Sequence, residues 1–460
     1  MKINIPENIL HDLKIIHSAL AENNHKCYLV GGCVRDGLLG KIPKDYDLTT
    51  SASTEEVFKA LCDKLELIPT GIEFGTWTVV NKNNMNTYEI TTFRSDMYDG
   101  DHTGHHPTAI KQVTSIEEDL ARRDFTINAI AYDFIEDKLI DPCNGQEDLE
   151  RKFIRCVGNP ITRFTEDPLR MLRAIRFQAQ LDGFRLATWT RSSIWDCREL
   201  IKQISGERIQ MELNKILLSN PIILDRPYSV HLLQEIMPEL TLLRKVQQNS
   251  PWHSYNAYTH SVKATEIVEP ELHLRLVMLF HDLGKYDTLT TDENGIDHFY
   301  NHGIVSCNEA RNILKRLRYS NEIIDKVCLL IKEHDRRIEL NKKAVKKVLN
   351  IMGEEGTRDL LKIRFADIAA QNLVHLKRRA KKVFDLTDLV EEVIKNKEPF
   401  SRKDLNIDGR MLISIGFEFG PEIGKTLDTL LGYVQENPEL NKPRLLKEIA
   451  VKILEENKEK

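Results

Sequence analysis

The spacing of apolar residues changes near residue 160, and this change limits the folds open to the chain. Before it, short apolar runs such as CYLVGG and alternating runs such as TWTVVN predict strands mixed with helices. After it, segments such as RMLRAIRFQAQL repeat their apolar residues at three-and-four spacing, which predicts helices. We therefore expect an α+β fold class, with a mixed sheet and helices over residues 1–140 followed by an all-α remainder.

Composition limits the class of protein and its compartment. The chain has 460 residues, enough for roughly two to four domains, and a net charge of −5, so any basic surface for nucleic acid must be local. The eight cysteines include no C-x-x-C pair, which is typical of reduced thiols in the cytoplasm. The apolar runs are too short for a bilayer, and the amino-terminal segment lacks a signal-peptide core. We expect a cytoplasmic protein with no membrane partner.

Two aspartates one residue apart, Asp45 and Asp47, are the strongest chemical signal in the chain. In a strand, residues at this spacing project from the same face. Two carboxylates on one face suit Mg²⁺, which takes oxygen ligands and leaves room for phosphate oxygens, and bound ions of this kind assist phosphoryl transfer. The alternative is a strand end with polar turn residues.

The residues just before this pair also suit a phosphate group. Gly31 and Gly32 follow an apolar strand and let the backbone approach phosphates closely, and the helix N-terminus that follows favours anions. Arg35 would neutralise a triphosphate. The alternative is a structural pair between Arg35 and Asp36. In this order, the glycines, the arginine and the aspartate pair favour a nucleotide-binding site.

LVGGCVRDGLLG and KDYDLTTSA together resemble the first motif of the class II tRNA nucleotidyltransferases (CCA-adding enzymes) and bacterial poly(A) polymerases. The resemblance implies a DNA polymerase β-type nucleotidyltransferase head that binds Mg²⁺, with Asp45 and Asp47 as the catalytic metal ligands. Glu89, on a predicted neighbouring strand, is a candidate third ligand; the alternative is an exposed strand acid. The implied order of domains is a catalytic head (1–140), a helical neck and body for nucleotide selection (141–250), an HD domain (251–385) and a helical tail for tRNA binding (386–460).

RRDFTINAIAYD resembles the second motif of this family. Asp124 follows Arg122 and Arg123 and precedes a predicted apolar helix, and its carboxylate would accept a hydrogen bond from a ribose 2′-OH. The alternative is that Asp124 caps that helix. Arg123 and Asn128 are further candidates for nucleotide binding, and DPCNG (141–145) resembles the family's hinge between head and neck.

RFTEDPLRMLRAIRF resembles the third motif. Asp167 and Arg170 are three residues apart, so on a helix they share a face and offer an acceptor beside a fork of donors. Such a pair matches cytosine and adenine and rejects guanine and uracil, because a mismatched base would leave buried polar groups unpaired. The alternative is an N-cap at Asp167 before Pro168. The resemblance makes Glu166, Asp167 and Arg170 the nucleotide-selecting set, with Glu166 orienting Arg170.

GERIQMELNKIL resembles the last motif of the neck. Its charged residues are interpreted as helix-packing or hinge residues rather than catalytic ones: Glu207, Arg208 and Glu212.

The helical half carries a second chemical signal. Neutral imidazoles with carboxylates suit a divalent transition metal, and a buried His-Asp doublet in an apolar helix needs partners. The spacing resembles that of HD-domain phosphohydrolases, in which the ligands would be His260, His281, Asp282 and Asp367, with His302 and His334 nearby. The alternative is a degenerate HD domain that only holds RNA.

Basic residues cluster in two helical segments. One is RRIELNKKAVKK, which begins at residue 336. The other is HLKRRAKK, with the candidate RNA-binding residues Lys377, Arg378, Arg379, Lys381 and Lys382. These side chains would meet the phosphates of a tRNA. The alternative is an ordinary solvated helix face.

The resemblance implies template-independent addition of CCA to the 3′ end of tRNA from CTP and ATP, with release of pyrophosphate. Poly(A) polymerases, and enzymes that add only CC or only the final A, share these motifs. A predicted mobile loop over 95–112 favours complete CCA addition, because CC-only enzymes lack part of it, although DGDHTGHHP departs from the expected arginine-rich sequence. From another class, the chain would be an HD phosphohydrolase whose head only binds nucleotide; the intact Asp45 and Asp47 argue against this.

Overall fold

The computed structural model describes residues 3–97, 109–249, 252, 254–372, 374 and 376–458, except for the side chains of residues 97, 109 and 458. The chain forms two compact units, Met1–Ile236 and Met237–Lys460. The first unit holds a mixed sheet and the second is almost entirely helical, so the predicted α+β fold class is confirmed. Among the described residues, no helix has both the length and the apolar character that a membrane crossing requires.

Among its described residues, the first unit contains eleven strands and ten α-helices. The strands are β1 (Cys27–Val30), β2 (Asp47–Thr50), β3 (Glu66–Gly71), β4 (Thr76–Asn81), β5 (Asn86–Thr92), β6 (Arg94–Met97), β7 (Ala109–Gln112), β8 (Ala131–Asp133), β9 (Lys138–Ile140), β10 (Phe153–Ile154) and β11 (Arg185–Leu186) among its described residues. The helices there are α1 (Glu7–Ala21), α2 (Gly32–Leu38), α3 (Thr54–Leu61), α4 (Ile116–Ala121), α5 (Gly145–Glu150), α6 (Pro160–Glu166), α7 (Leu169–Gln180), α8 (Thr188–Cys197), α9 (Gly206–Leu217) and α10 (Pro227–Ile236).

The sheet of the first unit has the strand order β3-β4-β5-β2-β1-β8-β9. β1 pairs antiparallel with β2 and with β8, whereas β2 and β5 are parallel. The register sets Asp47 opposite Val30 on one side and opposite Glu89 on the other. The sheet therefore brings the first motif and the candidate third carboxylate to neighbouring strands.

Local sequence signals explain several of these elements. Ser53 and Glu56 form a capping box at the start of α3: each side chain accepts a hydrogen bond from the other residue's backbone N–H. β4 and β5 pair antiparallel around the asparagine-rich turn, as their alternation predicts. Both predictions are confirmed.

Three predicted elements differ in the structure. Asp45 lies in a bend before β2, so the prediction that both aspartates belong to one strand is wrong. The apolar segment after Asp124 is a short 3₁₀ turn (Thr126–Asn128) followed by β8, because β8 pairs with β1 at a distance in sequence that local periodicity does not report. The ends of the predicted 95–112 loop pair as β6 and β7, and its middle lies outside the described residues.

The second unit contains ten α-helices and one hairpin among its described residues. The helices are α11 (Pro238–Leu242), α12 (Ala257–Ile267), α13 (Leu272–Phe280), α14 (His302–Arg316), α15 (Asn321–Glu333), α16 (Lys342–Ala369), α17 (Leu376–Lys395), α18 (Gly409–Ile415), α19 (Pro421–Glu436) and α20 (Pro443–Lys458). The hairpin joins β12 (Leu289–Thr291) to β13 (Asp297–Phe299).

Candidate active site

The first motif lines a cavity of about 560 Å³ in the first unit. Gly31 has φ 77°, a conformation that favours glycine, and it immediately precedes α2. A Cβ atom at Gly31 would lie 3.4 Å from Arg123 Nη1 and 3.8 Å from Asp47 Oδ2. The glycine therefore lets the backbone approach a charged aspartate-arginine pair at the cavity wall.

Three carboxylates, Asp45, Asp47 and Glu89, lie near the start of β2 beside this cavity. Asp47 lines it, while Asp45 and Glu89 are exposed. Burial and the nearby Glu89 raise the pKa of Asp47 to about 6, Asp45 adds to this and Arg123 opposes it. This concentration of negative charge fits a divalent cation, and oxygen ligands suit Mg²⁺. Among the described residues, these three acids do not form a group whose oxygens all lie within 4.8 Å of one another.

Arg35 is held by two partners beside the glycines. Its Nη1 donates to Asn128 Oδ1 at 2.8 Å, and its Nη2 lies 2.7 Å from Asp36 Oδ1. The sequence offered a structural Arg35–Asp36 pair as the alternative to phosphate binding. The pair exists, and Arg35 together with Asn128 also lines the cavity.

Asp124 is a buried carboxylate of the cavity wall. Arg173 of α7 donates to its Oδ2 from Nε at 2.9 Å and from Nη2 at 2.5 Å, and Asn128 Nδ2 donates to Oδ1 at 3.3 Å. Burial alone would raise the pKa of Asp124; Arg173 outweighs it, helped by Arg170 and Asn128, and lowers that pKa to about 2. Asp124 is thus an anchored acceptor, ionised at neutral pH, and not the N-cap of an α-helix.

Asp167 lies between α6 and α7, so it does not share a helix face with Arg170. Its Oδ1 accepts from the backbone N–H of Leu169 at 3.2 Å, as a cap does, while its Oδ2 accepts from Arg208 Nη2 at 2.9 Å. Arg170 Nη1 donates to Glu166 Oε2 at 2.6 Å, the pairing that the sequence interpretation assigned to Glu166. Asp167 and Arg170 both line the cavity.

The structure adds cavity residues that the sequence interpretation missed. Arg173 and Arg176 follow Arg170 by nearly one and nearly two helical turns on α7, and Arg94 and Asp96 of β6 also line the cavity. Arg208, interpreted as a packing or hinge residue, also lines the cavity. The arginines at positions 170, 173 and 176 recur every three residues, and this repeat is a sequence signal that could have revealed Arg173 and Arg176.

The cavity has an excess of positive charge. Its lining includes eight arginines and four aspartates, which suits a polyphosphate better than a neutral ligand. Phe177, with the Arg176 guanidinium 4.1 Å from its ring centre, supplies an aromatic surface there.

Glu212, the last of the neck-motif acids, is buried on α9. Its Oε2 lies 2.7 Å from Arg176 Nε, so it anchors a cavity arginine from behind. Glu207 of the same helix is exposed.

The second unit brings all six predicted histidines and acids of the helical half together. His260 Nε2 lies 2.9 Å from Asp367 Oδ1, and His281 Nε2 lies 3.2 Å from Asp282 Oδ2. Two sets have ligand atoms within 4.8 Å of one another: His260, His281 and Asp282, and Asp282, His302 and His334. Asp282 belongs to both sets.

Three of these imidazoles are oriented for metal binding. His281, His302 and His334 each place Nδ1 within 2.6–2.8 Å of a backbone carbonyl, which requires a donated proton there and makes Nε2 the nitrogen that would bind a metal. His302 Nε2 and His334 Nε2 lie 3.1 Å apart. Two lone pairs at this distance fit a shared cation.

Charge in this cluster is balanced between the rings and the acids. Burial lowers the pKa of His334 to about 3, together with His281 and His302. Burial would also lower the pKa of His281, but Asp282 and Asp367 outweigh it and raise that pKa to about 10. His281 therefore carries a positive charge that Asp282 and Asp367 offset, while His334 is neutral.

Two of the predicted RNA-binding residues, Lys382 and Arg379, line different cavities of the second unit. Lys382 of α17 lines a cavity of about 700 Å³ with basic residues of the other predicted segment: Arg336, Arg337, Lys343 and Lys347. Arg379 instead lines the cavity of the histidine cluster, and its guanidinium lies 5.6 Å from the centre of the Trp252 ring.

Three family models match different parts of the chain. Residues 27–155 match the poly A polymerase head domain. Residues 183–243 match a probable RNA and SrmB-binding site of polymerase A, and residues 288–450 match a putative tRNA nucleotidyltransferase domain 2. The predicted HD domain stays a prediction.

Curated relatives and solved structures agree with these matches. The chain is 39% identical over 249 residues to the CCA-adding enzyme of Oceanobacillus iheyensis. The aligned segment covers 52% of this chain and 60% of that protein. It is 45% identical over 199 residues to the CCA-adding enzyme of Geobacillus kaustophilus. This segment covers 43% of this chain and 47% of that protein. The matched segment thus spans about half the length of the curated relatives. A crystal structure of the Bacillus stearothermophilus CCA-adding enzyme in complex with CTP matches 99% of this chain and 100% of that one, with a TM-score of 0.70 and 26% identity.

The likeness therefore covers the motifs, the mixed sheet and the order of elements along nearly the whole chain. The chain is thus similar, segment by segment, to the tRNA nucleotidyltransferase and poly(A) polymerase family.

Proposed function

We propose that this protein adds CCA to the 3′ end of tRNA from CTP and ATP, without a nucleic-acid template. The observation that carries the proposal is one arginine-rich cavity that joins Asp47 to Asp167 and Arg170. In the reaction, the 3′-hydroxyl oxygen of the tRNA bonds to the α-phosphorus, the bond from that phosphorus to the bridging oxygen breaks, and pyrophosphate leaves. The CTP bound to the Bacillus stearothermophilus relative supports this choice of substrate.

Asp45 and Asp47 would hold Mg²⁺, with Glu89 as a further ligand. The ion, when bound, neutralises charge on the transferred phosphoryl group. Arg35 and Arg123 would bind the triphosphate beside Gly31 and Gly32. The negative charge around Asp47, which raises its pKa, supports a cation at this place.

Nucleotide selection would rest on residues of the neck. Arg170, oriented by Glu166, would donate to the acceptor nitrogen of cytosine or adenine, while Asp167, fixed by Arg208, accepts from the amino group. Asp124, with Asn128 beside it, would accept from the ribose 2′-OH. Guanine and uracil present the opposite order of donor and acceptor, so they would leave this pair unsatisfied.

The basic cavity of the second unit would bind tRNA phosphates. Arg337, Lys343, Lys347 and Lys382 supply the positive charge there, and the exposed Lys377, Arg378 and Lys381 would extend it along α17. Arg379 is the weakest member of the predicted set, because it faces the histidine cluster. We also propose a cytoplasmic location, since all eight cysteines are free thiols.

The proposal is tested by extension of a tRNA transcript that lacks its CCA, with Mg²⁺ and purified protein. We expect addition of two nucleotides with CTP alone, and of three with CTP and ATP together. A long ladder with ATP alone would indicate a poly(A) polymerase, and a stop after CC or a requirement for a CC end would indicate partial addition. Asp47→Asn should lower extension roughly a thousandfold, while Asp63→Asn, an exposed acid of the same unit, should not.

We further propose that the second unit has a metal-dependent phosphohydrolase site. The orientation of His281, His302 and His334 favours it, and Asp282 would be a ligand in either set. Water would attack phosphorus and the ester oxygen would leave. Lys285, whose Nζ lies 2.7 Å from Asp282 Oδ2, would neutralise phosphate charge beside the ligands.

This second site is tested with p-nitrophenyl phosphate after dialysis against chelator and addition of Mn²⁺, Co²⁺ or Ni²⁺. We expect hydrolysis that depends on the added ion and is lost in Asp367→Asn. Retained hydrolysis without metal, or no metal binding by calorimetry, would overturn the assignment and favour a domain that only holds RNA.

A further inference from the structure

Two cysteines of the second unit lie side by side on neighbouring helices. Cys307 belongs to α14 and Cys328 to α15. The Cys328 Sγ–H donates to the Cys307 carbonyl oxygen at 3.5 Å, so the two cysteines are in contact across the two helices. Neither cysteine lines a cavity used by the proposed reactions.

The surroundings of the pair divide the two thiols into different chemical roles. The hydrogen bond from Cys328 lowers the pKa of Cys307 to about 6, with help from Arg311 and Lys332 and against burial. The same contact, followed by burial, raises the pKa of Cys328. A thiolate is the reactive form of cysteine, so Cys307 is the nucleophile of the pair.

Access follows the same division. Cys307 is partly exposed, whereas Cys328 is 1% exposed. A small oxidant therefore reaches Cys307 first, and the Cys328 thiol lies against the same residue from the neighbouring helix.

We propose that Cys307 and Cys328 form an oxidisable dithiol that closes to an intrachain disulfide between α14 and α15 in the presence of a hydroperoxide. The Cys307 thiolate attacks one oxygen of the peroxide, the O–O bond breaks, and with one proton the products are a sulfenic acid and water or alcohol. The Cys328 sulfur then attacks the Cys307 sulfur, its proton goes to the departing hydroxide, and water leaves. Two thiols are oxidised and one peroxide is reduced.

The position of the pair gives the disulfide a structural consequence. His302 begins α14 and His334 directly follows α15, and their Nε2 atoms lie 3.1 Å apart. The cross-link would join the same two helices one to two turns away from these histidines. In a reducing compartment such a bond is transient, as expected of a redox-responsive site rather than a structural one.

The test is peptide mapping by mass spectrometry of the full-length protein after treatment with hydrogen peroxide and alkylation of the remaining thiols. We expect a peptide pair that joins residues 307 and 328, two hydrogens lighter than the free peptides and released by reduction. Alkylation of Cys307 in the reduced protein should reach half its maximal rate near pH 6.

Variants separate the two roles and need no effect on either proposed activity. Cys328→Ser should stop at a sulfenic acid on Cys307 that dimedone captures, Cys307→Ser should leave Cys328 reduced, and the matched control Cys62→Ser, an exposed cysteine of the first unit, should leave the cross-link intact. Unmodified Cys307 and Cys328 at a peroxide concentration that oxidises Cys62, or a cross-link only between two molecules, would overturn the proposal.

Discussion

At the scale of single residues, Asp167 combines roles that the sequence offers as alternatives. One carboxylate oxygen accepts from the backbone of Leu169 and the other accepts from Arg208, so the cap fixes the side chain that would contact the base. Asp124 is likewise fixed at both carboxylate oxygens: Arg173 donates to one and Asn128 to the other. Acceptors that are already oriented lose little conformational freedom when a nucleotide binds.

Asp167→Asn should relax nucleotide choice. The amide replaces one acceptor with a donor, so the amino group of cytosine or adenine loses its partner and the preference over uracil and guanine weakens. We expect the ratio of kcat/KM for CTP to that for UTP to fall by about ten- to a hundredfold, as about 1–3 kcal/mol per unpaired polar group implies. Single-nucleotide extension kinetics measure this ratio. Asp182→Asn, an exposed acid beyond α7, is the matched control, and an equal loss in both variants would contradict the assignment.

Gly31→Ala should weaken nucleotide binding and also destabilise the fold. Its φ of 77° strains any other residue by about 1–2 kcal/mol, and the new methyl group would meet Arg123. Gly40→Ala is the control, because φ there is 73° but no atom lies within 4 Å of the added Cβ. Chemical denaturation should give similar losses for both variants. Only Gly31→Ala should raise the KM for CTP; a similar rise in Gly40→Ala would mean that backbone strain alone is responsible.

At the scale of helices and strands, short-range signals predict the fold well and long-range pairing decides the rest. The capping box of α3 and the β4–β5 hairpin follow from residues close in sequence. By contrast, FTINAIAYD has the apolar content of a helix. Its last residues form β8 because they pair with β1, which lies about a hundred residues earlier in the sequence. The β12–β13 hairpin was missed although Asn294-Gly295 at its turn is a recognised hairpin signal.

In the candidate site too, residues of short motifs are predictable from the sequence, whereas contacts between distant segments are not. Asp47, Asp124 and Arg170 are identifiable from motifs, because each lies in a short segment with its own chemistry. The contacts of Arg208 with Asp167 and of Arg173 with Asp124 join segments far apart in sequence. Only the packing of α7 and α9 around the cavity brings them together, so the sequence does not assign their partners.

The Asp124–Arg173 pair should make stability depend on acid pH. Because the folded pKa of Asp124 is about 2, below the ordinary 3.8, its contribution is present above pH 4 and is lost as pH falls from about 4 to 2. This contribution is about 2 kcal/mol. Urea unfolding of Asp124→Asn should show a free energy of unfolding lower by at least this amount at pH 7, and a smaller decline between pH 4 and 2. An unchanged pH profile would show that the pair adds no stability.

At the scale of the whole molecule, the two compact units carry chemically different sites. The first has carboxylates and arginines suited to nucleotide transfer, and the second has imidazoles and carboxylates suited to a transition metal. Each set of residues lies within one unit. Two sites built from separate residues should be separable by single substitutions.

We therefore expect opposite losses in two variants measured in the same preparations. Asp47→Asn should lower tRNA extension by about 4 kcal/mol, roughly a thousandfold, because a cation ligand is lost, and should leave hydrolysis of p-nitrophenyl phosphate within twofold. Asp282→Asn should do the reverse, because Asp282 belongs to both metal sets.

Asp388→Asn, an exposed acid on α17, should change neither activity. Loss of both activities in Asp47→Asn, with an unchanged melting temperature, would mean that the two reactions share one site. Full extension by Asp47→Asn would remove this aspartate from the metal site and leave the histidine cluster as the chemical centre of the protein.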